Sequence, residues 1–178
     1  MDQAAAELTT VAERFDEAAL EPVVAAIARA DRLMLYGCGR EGLMMRALAM
    51  RLHHLGLTVC IQGDRNAFPL GPGDLFLCAA GPGELATASA LCGVAREAGA
   101  SVLVVTAEPD GATSALADEL LVIPAQTMAR DLGSDAVLPM GSLFEGAMFL
   151  VFEVLVLQLR ERLDETPASM RARHTNME

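Results

Sequence analysis

The 178-residue sequence contains no lysine and no tryptophan, and it has one tyrosine and six phenylalanines. Every fixed cation is therefore an arginine, and acidic residues outnumber arginines by 24 to 13, which gives a formal net charge of −11. Nucleic-acid binding needs clustered basic residues to meet the phosphates, so we expect no nucleic-acid partner. An anionic ligand would have to be bound locally, by backbone amides, a helix N-terminus or a single arginine.

The sequence has four cysteines, Cys38, Cys60, Cys78 and Cys92. They form no Cys-x-x-Cys pair, so we interpret them as small buried hydrophobic residues rather than zinc ligands. The N-terminus lacks the basic segment of a signal peptide. The apolar run 146–159 is too short to span a bilayer, and Glu153 interrupts it. We expect a cytoplasmic protein with no membrane partner, no metal and no organic cofactor.

Strand-like and helical apolar patterns alternate along the chain. Helical spacing predicts helices in residues 1–30, and a long apolar segment predicts a helix over 142–162. The predicted strands are Leu33–Tyr36, Thr58–Ile61, Leu75–Ala79, Val102–Thr106 and Leu120–Ile123. This alternation predicts a single domain over residues 1–178, an α/β protein built as a three-layer α/β/α sandwich with a five-stranded parallel sheet of the flavodoxin-like kind.

Two glycine-rich turns follow predicted strands, one over residues 37–40 and one over residues 81–84. Ligands of such sheets bind at the carboxyl ends of the strands, so both turns are candidate binding elements. With Gly42, the first turn also fits the dinucleotide-binding pattern G-x-G-x-x-G. No acidic residue closes the second strand as that pattern requires, so a nucleotide site is not favoured.

Several segments resemble the SIS (sugar isomerase) domain family. They are the two glycine turns, the helix end Ala49–Gly56 and the segment Pro139–Glu145. The C-terminal run Arg173-His174-Thr175-Asn176-Met177-Glu178 is similar to 6-phospho-3-hexuloisomerases in particular. The resemblance extends from about Ala30 to the C-terminus. It implies an aldose–ketose isomerase that works through a cis-enediol.

The resemblance assigns the catalytic base to Glu145 and the assisting histidine to His174. A carboxylate that moves a proton beside a carbonyl works best when burial raises its pKa toward neutrality. Each residue also has a plain structural interpretation. The run Ser142–Glu145 fits a capping box, in which Glu145 only stabilises a helix end, and His174 could be a solvated residue of a polar tail.

The predicted substrate-binding residues lie mostly in the glycine turns. They are Gly37, Gly39, Arg40, Glu41, Arg51, Arg65, Gly81, Pro82, Gly83 and Glu84. Arg40 and Arg51 could instead pair with the many acidic residues. Glu84 stands at the start of a predicted helix, Glu84–Ala98, where a negative charge is favourable without any function.

The sequence departs from SIS domains at the phosphate-binding turn. The family usually holds the substrate phosphate with serine and threonine hydroxyls, and the corresponding positions here are Ala80, Pro82, Leu85 and Glu41. Pro82 lacks an N–H donor, and Glu41 adds negative charge that would repel a phosphate by about 4 kcal/mol at 4 Å. Arg65 is a candidate replacement. We expect that the scaffold and the catalytic pair persist, while the anionic group of the substrate has changed or been lost.

The predicted function is isomerisation of a phosphosugar or a related sugar. The alternative is a noncatalytic SIS protein that binds a sugar or sugar phosphate. The apolar run Ala147–Leu159 has too few polar positions for a solvent-facing side, which predicts a homodimer or homotetramer. The tail 164–178 is predicted to reach a neighbouring subunit.

Overall fold

The structure is a computed structural model, and it describes residues 1–131 and 136–177. The strands in this part of the chain are β1 (Leu33–Gly37), β2 (Val59–Ile61), β3 (Leu75–Ala79), β4 (Ser101–Thr106) and β5 (Glu119–Val122). The α-helices are α1 (Asp2–Arg14), α2 (Leu20–Arg29), α3 (Gly39–His54), α4 (Ala86–Glu97), α5 (Ser142–Arg162) and α6 (Pro167–Ala172). The predicted alternation of strands and helices is confirmed.

The five strands form one parallel sheet in the order β2-β1-β3-β4-β5. Strands β1 and β3 are neighbours, and Gly37 at the end of β1 lies opposite Ala79 at the end of β3. The chain builds outward in opposite directions from these two strands, so their carboxyl ends are the switch point where ligands bind in such sheets. Both glycine turns begin there, as predicted.

Apolar helices cover both faces of the sheet, which explains why the strands are apolar on both sides. One face packs against α2, α3 and α5, with Leu35 and Leu77 among its buried strand residues. The other face, which includes Phe76, packs against α4. Cys78 and Cys92 are buried on this second face, and all four cysteines are free thiols. The three-layer α/β/α architecture is therefore confirmed.

Helix α5 is long and apolar enough to cross a membrane if length and composition are the only criteria. Half of that stretch is buried inside the molecule, where it packs against α1, α2 and α3. This is the environment of a core helix. Its uncovered face carries four exposed apolar side chains, Phe149, Leu150, Val154 and Leu157.

One predicted helix start is wrong. Helix α4 begins at Ala86 rather than Glu84. Leu85 is still extended, because its N–H donates to the hydroxyl of Thr113 at 3.2 Å instead of turning into the helix. Glu84 is consequently an exposed turn residue and not a charge in the first turn of the helix.

Candidate active site

A cleft of about 370 Å³ opens at the carboxyl ends of β1 and β3. Its walls come from the first turn of α3, the turn 81–85, the segment before α5 and the first turn of α5. The lining residues are Cys38, Gly39, Arg40, Glu41, Pro82, Leu85, Thr127, Met128, Met140, Gly141, Phe144 and Glu145. We call it the Glu145 cleft. It brings together five predicted site residues, whereas Thr127, Met128 and Met140 were not among the predicted site residues.

Glu145 faces an arginine and does not cap its helix. Its Oε2 lies 3.0 Å from Nε of Arg40, and its side chain is 16% exposed. The capping-box interpretation is wrong: Gly141 occupies the cap position, no side chain caps this helix, and the Ser142 hydroxyl accepts a hydrogen bond from Arg40 at 2.9 Å. Burial raises the pKa of Glu145, and Arg40 opposes part of that rise. The carboxylate therefore lines the cleft, paired with Arg40, and does not cap its helix.

Arg40 also fixes the chain that leads into α5. One of its Nη atoms donates to the carbonyl oxygen of Met140. Met140 and Gly141 both have left-handed backbones, with φ of 57° and 83°. Glycine adopts this conformation freely, whereas for methionine it costs about 1–2 kcal/mol. The contact with Arg40 helps to hold this strained connection and thus the position of Glu145.

Glu41 bonds to the second glycine turn. Its Oε2 accepts a hydrogen bond from the Gly81 N–H at 3.0 Å. Burial raises the pKa of Glu41 to about 7; the Gly81 N–H opposes this rise and the nearby Glu145 adds to it. A side chain on Gly81 would not fit, because its Cβ would lie 2.7 Å from the ring of Phe144 and 2.8 Å from Glu41.

Two further amides of this turn are also occupied. The Gly83 N–H donates to the Ala80 carbonyl at 2.8 Å, the Leu85 N–H donates to Thr113, and Pro82 has no N–H. A phosphate that used the amides of Gly81, Gly83 or Leu85 would have to displace their present partners. Thr113 was not predicted as a site residue; its only sequence signal is a hydroxyl in the loop after β4.

His174 and Arg51 lie far from the Glu145 cleft within one chain. The ring of His174 is 5.2 Å from that of His54 at the end of α3. Arg51, also near that end, forms an ion pair with Glu153 at 3.0 Å. Because α3 rises 1.5 Å per residue, His54 is about 20 Å from Glu41 along the helix axis.

Four other predicted residues line no part of the Glu145 cleft. Arg65 and Glu84 are exposed, and Arg65 lies in the loop that follows β2. Gly37 has a packing role, because a Cβ there would lie 2.8 Å from the backbone nitrogen of Gly42. Gly83 is similarly constrained, since its Cβ would lie 2.5 Å from Glu108.

No family model matches the sequence. A search of curated proteins finds the 3-hexulose-6-phosphate isomerase of Mycobacterium gastri, which is 34% identical over 173 residues, 97% of this chain and 86% of that protein. The chain belongs to the SIS-domain family of 3-hexulose-6-phosphate isomerases. A protein of the same name from Bacillus subtilis is 31% identical over 153 residues, 85% of this chain and 83% of that protein.

A solved structure shows the same fold. The hypothetical protein from Methanococcus jannaschii, for which a molecular function of 3-hexulose-6-phosphate isomerase was inferred, superposes with a TM-score of 0.86. It is 21% identical and covers 99% of this chain and 98% of its own. Family membership confirms the predicted fold and the predicted isomerase activity, and it does not favour the noncatalytic alternative.

Proposed function

We propose that the protein interconverts 3-hexulose 6-phosphate and fructose 6-phosphate, with Glu145 as the catalytic base. The observation that carries the proposal is the position of Glu145, which is largely buried in a cleft at the switch point of the sheet and paired with Arg40. The name of the Mycobacterium gastri relative supports this substrate. The reaction moves a carbonyl group between neighbouring carbons and needs one proton carrier.

Glu145 removes the proton from the carbon beside the carbonyl, which gives a cis-enediol, and returns it to the adjacent carbon. Burial raises the pKa of Glu145. A carboxyl group whose pKa lies nearer the working pH transfers a proton more efficiently than an exposed carboxylate does. Arg40, 3.0 Å from Glu145, is placed to stabilise the negative charge that develops on the substrate oxygen. Gly39, Glu41 and the turn 81–84 surround the substrate.

His174 reaches this reaction from a second subunit. Within one chain it is about 20 Å from the Glu145 cleft, so the tail 164–178 of one copy serves the cleft of another. Glu178 lies outside the described residues. The exposed apolar face of α5 supports a homodimer or homotetramer. We place this assembly in the cytoplasm, without a metal or organic cofactor.

The test is a steady-state assay of both sugar phosphates with the parent protein, Glu145→Gln and Glu161→Gln. Glu161 is an exposed acid on the same helix and serves as the matched control. Loss of the base should reduce kcat by about 10²–10⁴-fold with the thermal midpoint nearly unchanged, whereas the control should keep parental turnover. Turnover of Glu145→Gln within a few-fold of the parent would exclude Glu145 as the base.

A further inference from the structure

A second cleft, of about 430 Å³, lies at the opposite end of α3, where α6 and the last turn of α5 meet it. Its charged and titratable lining residues are Arg51, His54, Arg160, Arg171 and His174. We call it the cationic cleft. Its remaining lining is apolar: Met50, Pro167 and Met170.

The charge of this cleft is unusual for so acidic a protein. The chain carries a net charge of −11, yet three of its 13 arginines and two of its three histidines line this one cleft, and no carboxylate of a described residue is part of the lining. It differs from four other clefts in the described part of the chain, none of which has arginines without acids in its lining. The Glu145 cleft, in contrast, contains two acids, Glu41 and Glu145.

Two of these arginines are available to a ligand. Glu153 holds Arg51 through two hydrogen bonds of 3.0 and 3.1 Å. The side chains of Arg160 and Arg171 form no ion pair or hydrogen bond with the residues that the structure describes. An arginine that stays unpaired in a chain with 24 acidic residues is a candidate for binding an external anion.

Arg173, which is not part of the lining, holds this end of the molecule together. Arg173 donates to the backbone carbonyl of His54 at 2.8 Å and forms a two-point ion pair with Glu165, also at 2.8 Å. These contacts fasten the segment after α5 to the end of α3. The backbone that carries Arg171 and His174 is therefore held against α3, so mainly the side chains need ordering when a ligand binds.

We propose that the cationic cleft binds the dianionic group of a phosphate monoester. The planar guanidinium forks of Arg160 and Arg171 match phosphate oxygens, and the apolar walls suit the carbon part of an ester. The ester has two possible sources: the sugar phosphate that reacts in a neighbouring subunit's Glu145 cleft, or a separate phosphorylated metabolite. The binding site itself does not depend on the proposed isomerase substrate.

Calorimetric titration of the full-length protein with inorganic phosphate tests the site directly. We expect the parent to bind phosphate with a Kd on the order of 1 mM. Arg160→Gln and Arg171→Gln should each raise this Kd by at least about tenfold. Arg29→Gln is the control for charge, because Arg29 is exposed on α2, outside the cleft. A parent that does not bind phosphate, or cleft variants that bind like the control, would overturn the proposal.

Kinetics with the sugar phosphate distinguish the two sources. If the substrate's own phosphate occupies the cleft, Arg171→Gln should raise KM by about tenfold with kcat retained. If the ligand is a separate metabolite, phosphate binding should weaken while KM stays parental. Either result supports the site. The phosphate titration remains interpretable even if the protein does not turn over 3-hexulose 6-phosphate, so the two proposals can fail independently.

Discussion

The carboxylate of Glu41 takes the position of an anion at the second glycine turn. It accepts the Gly81 N–H at 3.0 Å, so a phosphate bound at this turn would compete with it for the same donor. Ionised Glu41 would also repel a phosphate, whereas protonated Glu41 is neutral and can donate a hydrogen bond. With its pKa raised to about 7, Glu41 sets the charge of the Glu145 cleft near neutral pH.

The raised pKa of Glu41 predicts a specific pH dependence of stability. Burial raises this pKa from 4.5 to about 7, so between these values the folded protein holds a proton that the unfolded chain has released. The free energy of unfolding should therefore fall as pH rises through this range, by up to about 3 kcal/mol. In the Glu41→Gln variant, this contribution to the fall of the free energy of unfolding with pH should be absent.

Urea unfolding of the parent and Glu41→Gln at pH values from about 5 to 8 measures the difference. Glu161→Gln, which removes an exposed carboxylate, should keep the parental slope. The comparison isolates Glu41, because the raised pKa of Glu145 contributes to all three proteins. Parallel pH profiles for the parent and Glu41→Gln would mean that Glu41 titrates normally in the folded protein.

At the scale of elements, the strands and glycine turns could be predicted because their causes are local. The runs that form β3 and β4 are apolar on both faces, as a covered parallel sheet requires, and glycines follow directly where β1 and β3 end. The carboxyl ends of parallel neighbours meet at one edge. Alternation alone was therefore enough to place the two turns and the candidate site.

Helix starts and site contacts could not be predicted because they depend on residues far apart in sequence. Ser142 fits a capping residue by sequence, but Arg40, 102 residues away, binds its hydroxyl, and Gly141 takes the cap position. The contact between Glu41 and Gly81 joins residues 40 positions apart. Nothing in either local sequence indicates these pairs.

The uncovered face of α5 predicts a subunit interface. Phe149 is 50% exposed, and with Leu150, Val154 and Leu157 it forms an apolar strip along one side of the helix. Phe149→Glu should dissociate the oligomer, because an unpaired charge buried at an interface costs about 3–5 kcal/mol, or at least a hundredfold in Kd. Sedimentation velocity at micromolar concentration measures the change.

Val94→Glu is the matched control for the interface. Val94 is 61% exposed on α4, on the other side of the sheet, so a charge there should leave the sedimentation coefficient unchanged. Circular dichroism should show both variants folded, since neither residue is buried in the core. A parent that sediments as a stable monomer, or a Phe149→Glu variant that stays assembled, would place the interface elsewhere.

In the whole molecule, the two clefts separate the predicted catalytic pair. Glu145 lies in a cleft at the start of α3, and His174 lies in the cationic cleft at its end, about 20 Å away. No side chain spans that distance. If both residues act on one substrate, each complete site requires two copies of the chain, and neighbouring copies must place the end of one α3 near the start of another.

Shared sites predict that two inactive variants restore each other. Glu145→Gln and His174→Ala should each lose most turnover, because every site in either homo-oligomer lacks one residue. When equal amounts are dissociated and reassembled, half of random dimers are hybrids, and one of the two sites in each hybrid is intact. Activity should therefore return to about a quarter of the parental value.

Different affinity tags on the two variants show by co-purification that hybrids have formed. Hybrids without activity, or a His174→Ala variant with parental turnover, would refute the exchange of His174 between subunits.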